Sequence, residues 1–485
     1  MPLHGFSRHA WIAALFIICA VVLGGGGSPT PQAETLLQLV GCLALLAWIW
    51  VPAKDGTPYP AGRLVWLLAA LAVALPLLQS IPLPPTLWHA LPGQEDRVAA
   101  LALVGQADSW QPLTQSPPRT LAGLLAIVPA LFAFLATAAL RPADRQGVIL
   151  AIAAAVLLSA LFGAAQIALG HDALRLYSET HTGYVTGFQA NRNAEADVLL
   201  IGMAAIAAAL VPGLVAPVPG PRARAPRHLD RLPSPARQRG RWLLLGGLLI
   251  LLLLAVVLTG SRMGMALIAV ALIGCWVILR RPLAMLAGES NALVRWLALP
   301  AMVAVALIAA YLLLEGNTVI GRSAMRFDAT SDPRSELWRD TWFAIQSAWP
   351  SGVGMGGFQP AMLAAERLEV LDTSRPNRAH NDYLELLLEG GLPAVLILVA
   401  ATALIGLLAV RGWRARPSDQ PQIALGLTLM TIVALHSLVD YPLRSMALAC
   451  LFGVGTGLLA SAPRTVLMSA RDNNASAAAG IGFAS

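Results

Sequence analysis

The stretch WLLLGGLLILLLLAVVLTGSRMGMALIAVALIGCWVILR, from Trp242 to Arg280, decides the fold class of this chain. It holds two long apolar runs, 242–259 and 263–280, separated by a few polar residues that include Arg262. A bilayer core about 30 Å thick requires roughly 20 apolar residues in one helix. The stretch therefore predicts two antiparallel transmembrane helices joined by a tight turn.

The rest of the chain repeats this pattern. Of the 485 residues, 57% are hydrophobic and only 12% are charged, whereas soluble domains carry about 25% charged side chains. This composition excludes a soluble enzyme and a disordered chain. We predict an all-α polytopic membrane protein with about twelve transmembrane helices, near residues 11–27, 34–51, 63–80, 119–140, 147–169, 194–215, 242–259, 263–280, 293–314, 384–410, 421–438 and 444–461.

The charged residues between the runs predict the orientation. If the N-terminus is cytoplasmic, the loops on the cytoplasmic side hold most of the basic residues, as the positive-inside rule requires, and both termini lie inside. The predicted organisation is helices 1–9 within 1–314, with an outer loop at 81–118 and a cytoplasmic Arg/Pro-rich loop at 217–241, a large outer loop with short helices at 315–383, helices 10–12 within 384–463, and a cytoplasmic tail at 464–485.

Several functions are excluded by residue type. The net charge of +7 is spread between apolar runs, so it indicates membrane orientation and no nucleic-acid partner. Lys54 is the only lysine, and the glycines of the phosphate-binding motif GxxxxGK[ST] are absent around it, which excludes an ATPase of that type. The four cysteines lie inside apolar runs and predict neither a metal site nor a disulfide. The glycine-rich stretch Gly352–Phe358 lacks the strand of a dinucleotide site, and we interpret it as a turn.

The large outer loop contains one clear helical pattern. In Ser335–Trp349, the residues Trp338, Trp342, Ile345 and Trp349 fall on one helical face. An apolar stripe with tryptophans and flanking arginines is typical of a helix at the membrane surface. A packed core helix is the alternative.

Charged residues at membrane depth are functional candidates because they are costly to bury there. Arginine offers a planar fork that binds phosphate oxygens in pairs, and a histidine such as His380 can accept a proton from a hydroxyl. Structural roles remain open: Arg192 and Arg262 could extend to the headgroups, and His436 with Asp440 is more often a buried structural pair. On the outer face such residues cluster at Gly183–Asp197, Ser261–Arg262, Arg322–Arg339, Arg375–Gly391 and His436–Arg444.

The motifs in these clusters resemble the O-antigen ligase/polymerase family. The resemblance lies in RSELWRDTWFAIQSAWPSGVGMGGF (Arg334–Phe358), RAHNDYLELLLEGGLPAVLI (Arg378–Ile397) and HSLVDYPL (His436–Leu443). NRN around Arg192, GSR at Arg262 and the loop LQSIPLPPTLWHALPG support it. The resemblance spans about residues 78–445 and implies a GT-C-like membrane fold.

The resemblance implies a metal-independent glycosyltransferase without a cofactor, in the bacterial inner membrane. Such enzymes take a glycan from undecaprenyl pyrophosphate at the periplasmic face and pass it to lipid A core, a growing polysaccharide or a protein serine. Carried over to this chain, Arg192 and Arg262 would hold the pyrophosphate and His380 would activate the acceptor hydroxyl. Further residues expected to contact pyrophosphate or glycan are Arg339, Arg378, Asn381 and Tyr383.

Two other functions remain open at this stage. A polysaccharide polymerase uses the same donor, and the motifs do not separate it from a ligase. A transporter or lipid flippase without chemistry would also fit about twelve spans, although the large outer loop with clustered arginines is not needed for transport.

Overall fold

The computed structural model describes residues 5–27, 31–53, 58–170, 173–177, 181, 183–214, 235–287, 334–367, 369 and 376–460. Three predicted segments lie wholly or mostly outside these residues. They are the span at 293–314, most of the Arg/Pro-rich loop at 217–241, and the tail at 464–485. The first part of the large outer loop, 315–333, also lies outside them.

The described chain consists almost entirely of helices. Two very short antiparallel strands, β1 (Pro82–Leu83) and β2 (Gln111–Pro112), pair inside the outer loop that was predicted at 81–118. The helices are α1 (Arg8–Leu23), α2 (Pro31–Trp50), α3 (Arg63–Gln79), α4 (Pro85–Trp88), α5 (Glu95–Leu103), α6 (Pro117–Ala139), α7 (Pro142–Leu169), α8 (Arg192–Leu214), α9 (Pro235–Leu258), α10 (Arg262–Ala287), α11 (Arg334–Ala348), α12 (Phe358–Ala365), α13 (Asp382–Ala415), α14 (Gln420–His436) and α15 (Met446–Leu458).

Every predicted span that falls in the described residues overlaps one of these helices. Seven described helices are long and apolar enough to cross a membrane, namely α2, α6, α7, α8, α9, α10 and α13. Helices α1, α3 and α15 are also apolar but shorter. The chain is therefore a mostly helical multi-pass membrane protein, while the count of twelve stays a prediction.

Small residues let the helices approach closely in the centre of the bundle. On α15, Gly453 and Gly457 lie one turn apart against α6. A Cβ atom at Gly453 would lie 2.4 Å from the carbonyl oxygen of Ala130, and one at Gly457 would lie 2.7 Å from that of Phe134. Lipid chains are as apolar as side chains, so close van der Waals packing of this kind drives helix association in a membrane.

The helices alternate in direction, so that many of their ends meet at one end of the bundle, which we call the site end. There the amide of Ala447 donates to the carbonyl of Gly24 at 3.0 Å, and Gln79 donates to the carbonyl of Glu389 at 2.8 Å. Helices α1, α3, α7, α9 and α14 end at the site end, and α6, α8, α10, α13 and α15 begin there.

Helix α11 lies at the site end and confirms the helix predicted at Ser335–Trp349. Thr341, Ala344 and Ile345 are buried, whereas Trp342 is 49% exposed. The buried side chains of α11 pack against α12 and α13. A second, smaller core forms between these three helices, around Ala344, Ile345, Ala348, Val353, Phe358, Met362, Ala379 and Leu388.

The close contact between α15 and α6 gives a test of the packing. Replacing Gly457 with leucine should destabilise the protein by about 1–3 kcal/mol or more, because the larger side chain forces the two helices apart. The readout is the melting temperature of the purified protein in detergent. Gly406→Leu is the matched control: Gly406 also lies in an apolar helix, α13, but a Cβ atom there would meet nothing within 4 Å. Equal melting temperatures for the two variants would contradict the packing.

Candidate active site

His380 and Asp440 form a pair at the site end. His380 Nδ1 lies 3.1 Å from Asp440 Oδ1, and the His380 ring meets the ring of Tyr441 edge-on at 4.8 Å between centroids. The side chain of His380 is 30% exposed and that of Asp440 only 4%. An ionised Asp440 accepts the Nδ1 proton of the imidazole, which leaves Nε2 as the nitrogen able to accept a proton.

The surroundings of Asp440 keep its carboxyl ionised. Burial by itself would raise the pKa of Asp440, but the hydrogen bond from His380 and the nearby imidazole of His436 hold this pKa below its ordinary value. The second carboxylate oxygen accepts a hydrogen bond of 2.5 Å from the side-chain amide of Asn193. Both oxygens of Asp440 are therefore engaged, and its orientation is fixed.

The backbone of His380 is strained. Its φ angle is +49°, in the left-handed region that costs a residue with a side chain roughly 1–3 kcal/mol. The preceding residue, Ala379, is held from both sides: its amide donates to Glu385 at 3.1 Å, and its carbonyl accepts from the Trp338 indole at 2.9 Å. These contacts place the imidazole before the first turn of α13.

The first turn of α13 is joined to the end of α14. The amide of Asp382 donates to the carbonyl of Ser437 at 3.0 Å, and the Ser437 hydroxyl donates to the Asp382 carboxylate at 2.9 Å. The sequence motifs AHND and HSLVDYPL are thus parts of one folded unit.

Asn381 and Tyr383, two of the predicted substrate-binding residues, take part in this junction. The side chain of Asn381 accepts from the amides of Tyr383 and Leu384 at the start of α13, and donates to the carbonyl of Leu438 at 2.8 Å. The Tyr383 hydroxyl donates to the carbonyl of Ala434 at 2.9 Å. The structure thus gives both residues positioning contacts beside the pair of His380 and Asp440.

A buried ion network lies under this junction. Arg444 is 3.0 Å from the carboxylate of Glu385 and 2.9 Å from that of Glu389, and both glutamate side chains are fully buried. Arg378, a predicted substrate-binding residue, lies 2.9 Å from Glu385. Arg378 is thus engaged by the network, close to His380 in sequence and space.

The glycine-rich stretch Gly352–Phe358 is a turn, as predicted, and it closes the network. The amide of Gly356 donates to the Glu389 carboxylate at 2.8 Å, and that of Gly354 donates to the Glu389 carbonyl at 2.9 Å. Gly354 has a φ angle of +99°, and a Cβ atom there would lie 2.1 Å from the hydroxyl of Thr114. Only glycine fits at this position.

Arg192 and Arg262 both lie at the site end, each as the first residue of a helix. The Arg192 guanidinium lies 4.3 Å from the centre of the Tyr184 ring, and the next residue, Asn193, binds Asp440. The first turns of α8 and α10 are in contact, since a Cβ atom at Gly264 would lie 2.5 Å from that of Ala196. Both arginines are thus on the same side of the bundle as His380, where helix N-termini add positive potential.

Arg339 lies further out on α11. Its side chain is 73% exposed, and within the described residues it forms one long ion pair, of 3.9 Å, with Glu336. It is therefore placed at the surface of the site end, away from the buried network.

One sequence interpretation is corrected by the structure. His436 and Asp440, named from the sequence as a buried pair, are not paired with each other, because α14 ends at His436 and Asp440 lies beyond it. His436 pairs instead with Asp197, with His436 Nδ1 2.7 Å from Asp197 Oδ1, and Asp440 pairs with His380. Sequence reasoning named both carboxylates within larger clusters of candidates but did not predict their partners. The signal available was the presence of carboxylates inside or next to apolar runs.

Within the described parts of the chain, no group of three or more His, Cys, Asp or Glu side chains is arranged to hold a metal ion. The four cysteines are free.

The fold and the site define a class: a multi-pass membrane protein whose polar groups gather at one end of the bundle around a histidine–aspartate pair. Residues 247–399, roughly a third of the chain, match the model of a family described as O-antigen ligase. This match confirms the resemblance to the O-antigen ligase/polymerase family that the motifs predicted. It contains the motifs of Arg262 and His380, while Arg192 lies outside it. A comparison with curated proteins gives no match.

The buried ion network gives a stability prediction. Replacing Arg444 with leucine leaves Glu385 and Glu389 buried with too little positive charge, which should destabilise the protein by about 3–5 kcal/mol. Thermal unfolding in detergent measures the effect. Arg339→Leu, at the exposed end of α11, should change stability by less than about 0.5 kcal/mol. A melting temperature of Arg444→Leu equal to that of Arg339→Leu would contradict the role given to the network.

Proposed function

We propose that the protein is a glycosyltransferase that moves a glycan from undecaprenyl pyrophosphate to an acceptor hydroxyl at the periplasmic face of the bacterial inner membrane. The acceptor is lipid A core or a growing polysaccharide. The observation that carries the proposal is the pair of His380 and Asp440, whose partly exposed imidazole lies at the same bundle end as Arg192 and Arg262. The family match supports a ligase or polymerase.

In the proposed reaction, His380 acts as the general base. Nε2 accepts the proton of the acceptor hydroxyl as its oxygen attacks the anomeric carbon of the donor sugar. The bond from that carbon to the pyrophosphate oxygen breaks, and the pyrophosphate leaves with the electron pair. Asp440 stabilises the imidazolium that forms, as its ionised state and its contact with Nδ1 allow.

Arg192 and Arg262 would stabilise the leaving group. Their guanidinium groups are permanently charged and can bind two phosphate oxygens at once. Charge builds on the pyrophosphate as the glycosidic bond breaks, and a preorganised donor at such a position is worth about 2.7–4 kcal/mol. No nucleotide, metal or other cofactor is required, since the donor is already activated.

The location of the site suits two membrane-bound substrates. The positive-inside distribution of basic residues supports a site end on the periplasmic side and both termini in the cytoplasm. A lipid-linked donor would present its pyrophosphate at headgroup depth, where the helices of the site end begin and end. Four further residues at the site end would contact or position the glycan, namely Arg339, Arg378, Asn381 and Tyr383.

A gene deletion separates the related activities. Loss of a ligase should leave long lipid-linked chains, whereas loss of a polymerase should leave single repeat units, as measured by mass spectrometry of the lipid-linked glycans. Transfer by the purified protein from a lipid-linked donor to an added acceptor supports the enzyme. Movement of the lipid across vesicles without transfer would favour a flippase.

The general-base role predicts the effect of removing the imidazole. His380→Ala should lower the transfer rate by about 10²–10⁴-fold, since the proton of the hydroxyl then has no acceptor. The assay uses purified protein with lipid-linked donor. His89→Ala is the control, because His89 is an exposed histidine in the outer loop at 81–118 whose side chain contacts the carbonyl of Ala107 and the ring of Trp88. Wild-type rates for folded His380→Ala would disprove the role.

The pyrophosphate role predicts a contrast between the two ends of α10. Arg262→Ala should lower the rate constant of transfer by about 10²–10³-fold, because a donor to the leaving group is lost. Arg281→Ala, at the opposite end of the same helix, should leave the rate unchanged, since Arg281 binds the carbonyl of Pro417 and the side chain of Gln420. Equal rates for both variants would remove Arg262 from the mechanism.

A further inference from the structure

A second histidine–aspartate pair lies beneath the first one. His436 Nδ1 is 2.7 Å from Asp197 Oδ1, and neither side chain is more than 2% exposed. The other oxygen of Asp197 has no hydrogen-bond partner among the described residues. The hydrogen bond to His436 is therefore the one that orients this carboxylate. Both residues line a small pocket together with Asn193, Asp440 and Tyr441.

The two pairs are connected through α8 and the end of α14. Asn193 and Asp197 lie one turn apart on α8. Their partners both lie at the end of α14, where His436 is the last helical residue and Asp440 follows it. Asn193 donates to Asp440 Oδ2, and Asp197 holds His436. The amide of Asp440 in turn donates to the carbonyl of His436 at 3.0 Å. Asp440 is thus held by its side chain from α8 and by its backbone from His436.

The buried pair is costly as a purely structural element. Removing two ionisable groups from water is unfavourable, and apolar residues of similar volume often pack as well or better. Apolar residues fill most of the neighbouring positions of α8, where Val198, Leu199, Leu200 and Ile201 are fully buried. A polar pair at this depth indicates a role in the site.

We propose that Asp197 and His436 are positioning residues for the transfer reaction. Their pair joins the first turns of α8 to the last turn of α14, so that Asn193 and the His436 backbone hold Asp440 against His380 Nδ1. This keeps Nε2 of His380 directed to the acceptor hydroxyl. The inference rests on the proposed function, since it assigns a supporting role for the same imidazole.

Four variants test the inference by kinetics. Asp197→Ala and His436→Ala should lower kcat by about tenfold or more with KM within about twofold of wild type, because a shift of the base by a fraction of an ångström slows transfer without removing a substrate contact. Asp197→Asn and His436→Asn should recover part of kcat, since an acceptor or donor remains at the same place. An unchanged kcat in folded Asp197→Ala would overturn the inference.

A matched control separates positioning from stability. Glu195 lies in the same part of α8 and is fully buried, but it accepts from the Ser159 hydroxyl on α7 at 2.8 Å and does not contact Asp440. Glu195→Gln should lower the melting temperature while kcat of the folded protein stays at the wild-type value. If Glu195→Gln and Asp197→Asn lower kcat equally, the effect is general to the helix and the inference fails.

A measurement without substrate distinguishes this inference from the proposed function. Diethyl pyrocarbonate modifies accessible neutral imidazoles, and mass spectrometry can follow the modification of His380 alone. Asp197→Ala should change this rate at His380 severalfold, while Glu195→Gln should not. Identical rates in wild type and Asp197→Ala would overturn the inference even if the protein transfers glycan. If the rates differ but wild type transfers no glycan, the proposed function fails and the positioning contact stands.

Discussion

The structure of the site end depends on the compensation of two carboxylates that are fully buried at the beginning of α13. Glu385 and Glu389 could not be ionised there without Arg444, which lies about 3 Å from both, and Arg378. The same carboxylates accept the amides of Ala379 and Gly356. One requirement, the pairing of buried charge, therefore fixes the loop before α13 and the glycine-rich turn together.

The position of His380 follows from that requirement. Glu385 holds the amide of Ala379 at 3.1 Å, so the strained backbone of the next residue is imposed by its neighbours. The site thus separates two kinds of charge. Arg378 and Arg444 neutralise buried glutamates, whereas Asp440 faces an imidazole that reaches the solvent.

Much of the fold could be predicted from the sequence because long apolar runs permit few structures in a bilayer. The runs at 242–259 and 263–280 became α9 and α10, and the turn between them placed Arg262 at the site end. The predicted roles of Arg192, Arg262 and His380 remain predictions, but all three lie on the same side of the bundle. The partners of His380 and His436 could not be predicted, since Asp440 and Asp197 are 60 and 239 residues away from them.

The sequence by itself determined the membrane class, the approximate helices, the family resemblance and which residue types could perform the chemistry. These follow from hydropathy and short motifs, which are local properties of the chain. Only the tertiary structure decided which carboxylate pairs with which cation or imidazole. The physical reason is that a buried charge must find its partner in space, and several arginines and acids of similar spacing compete for that role until the helices pack.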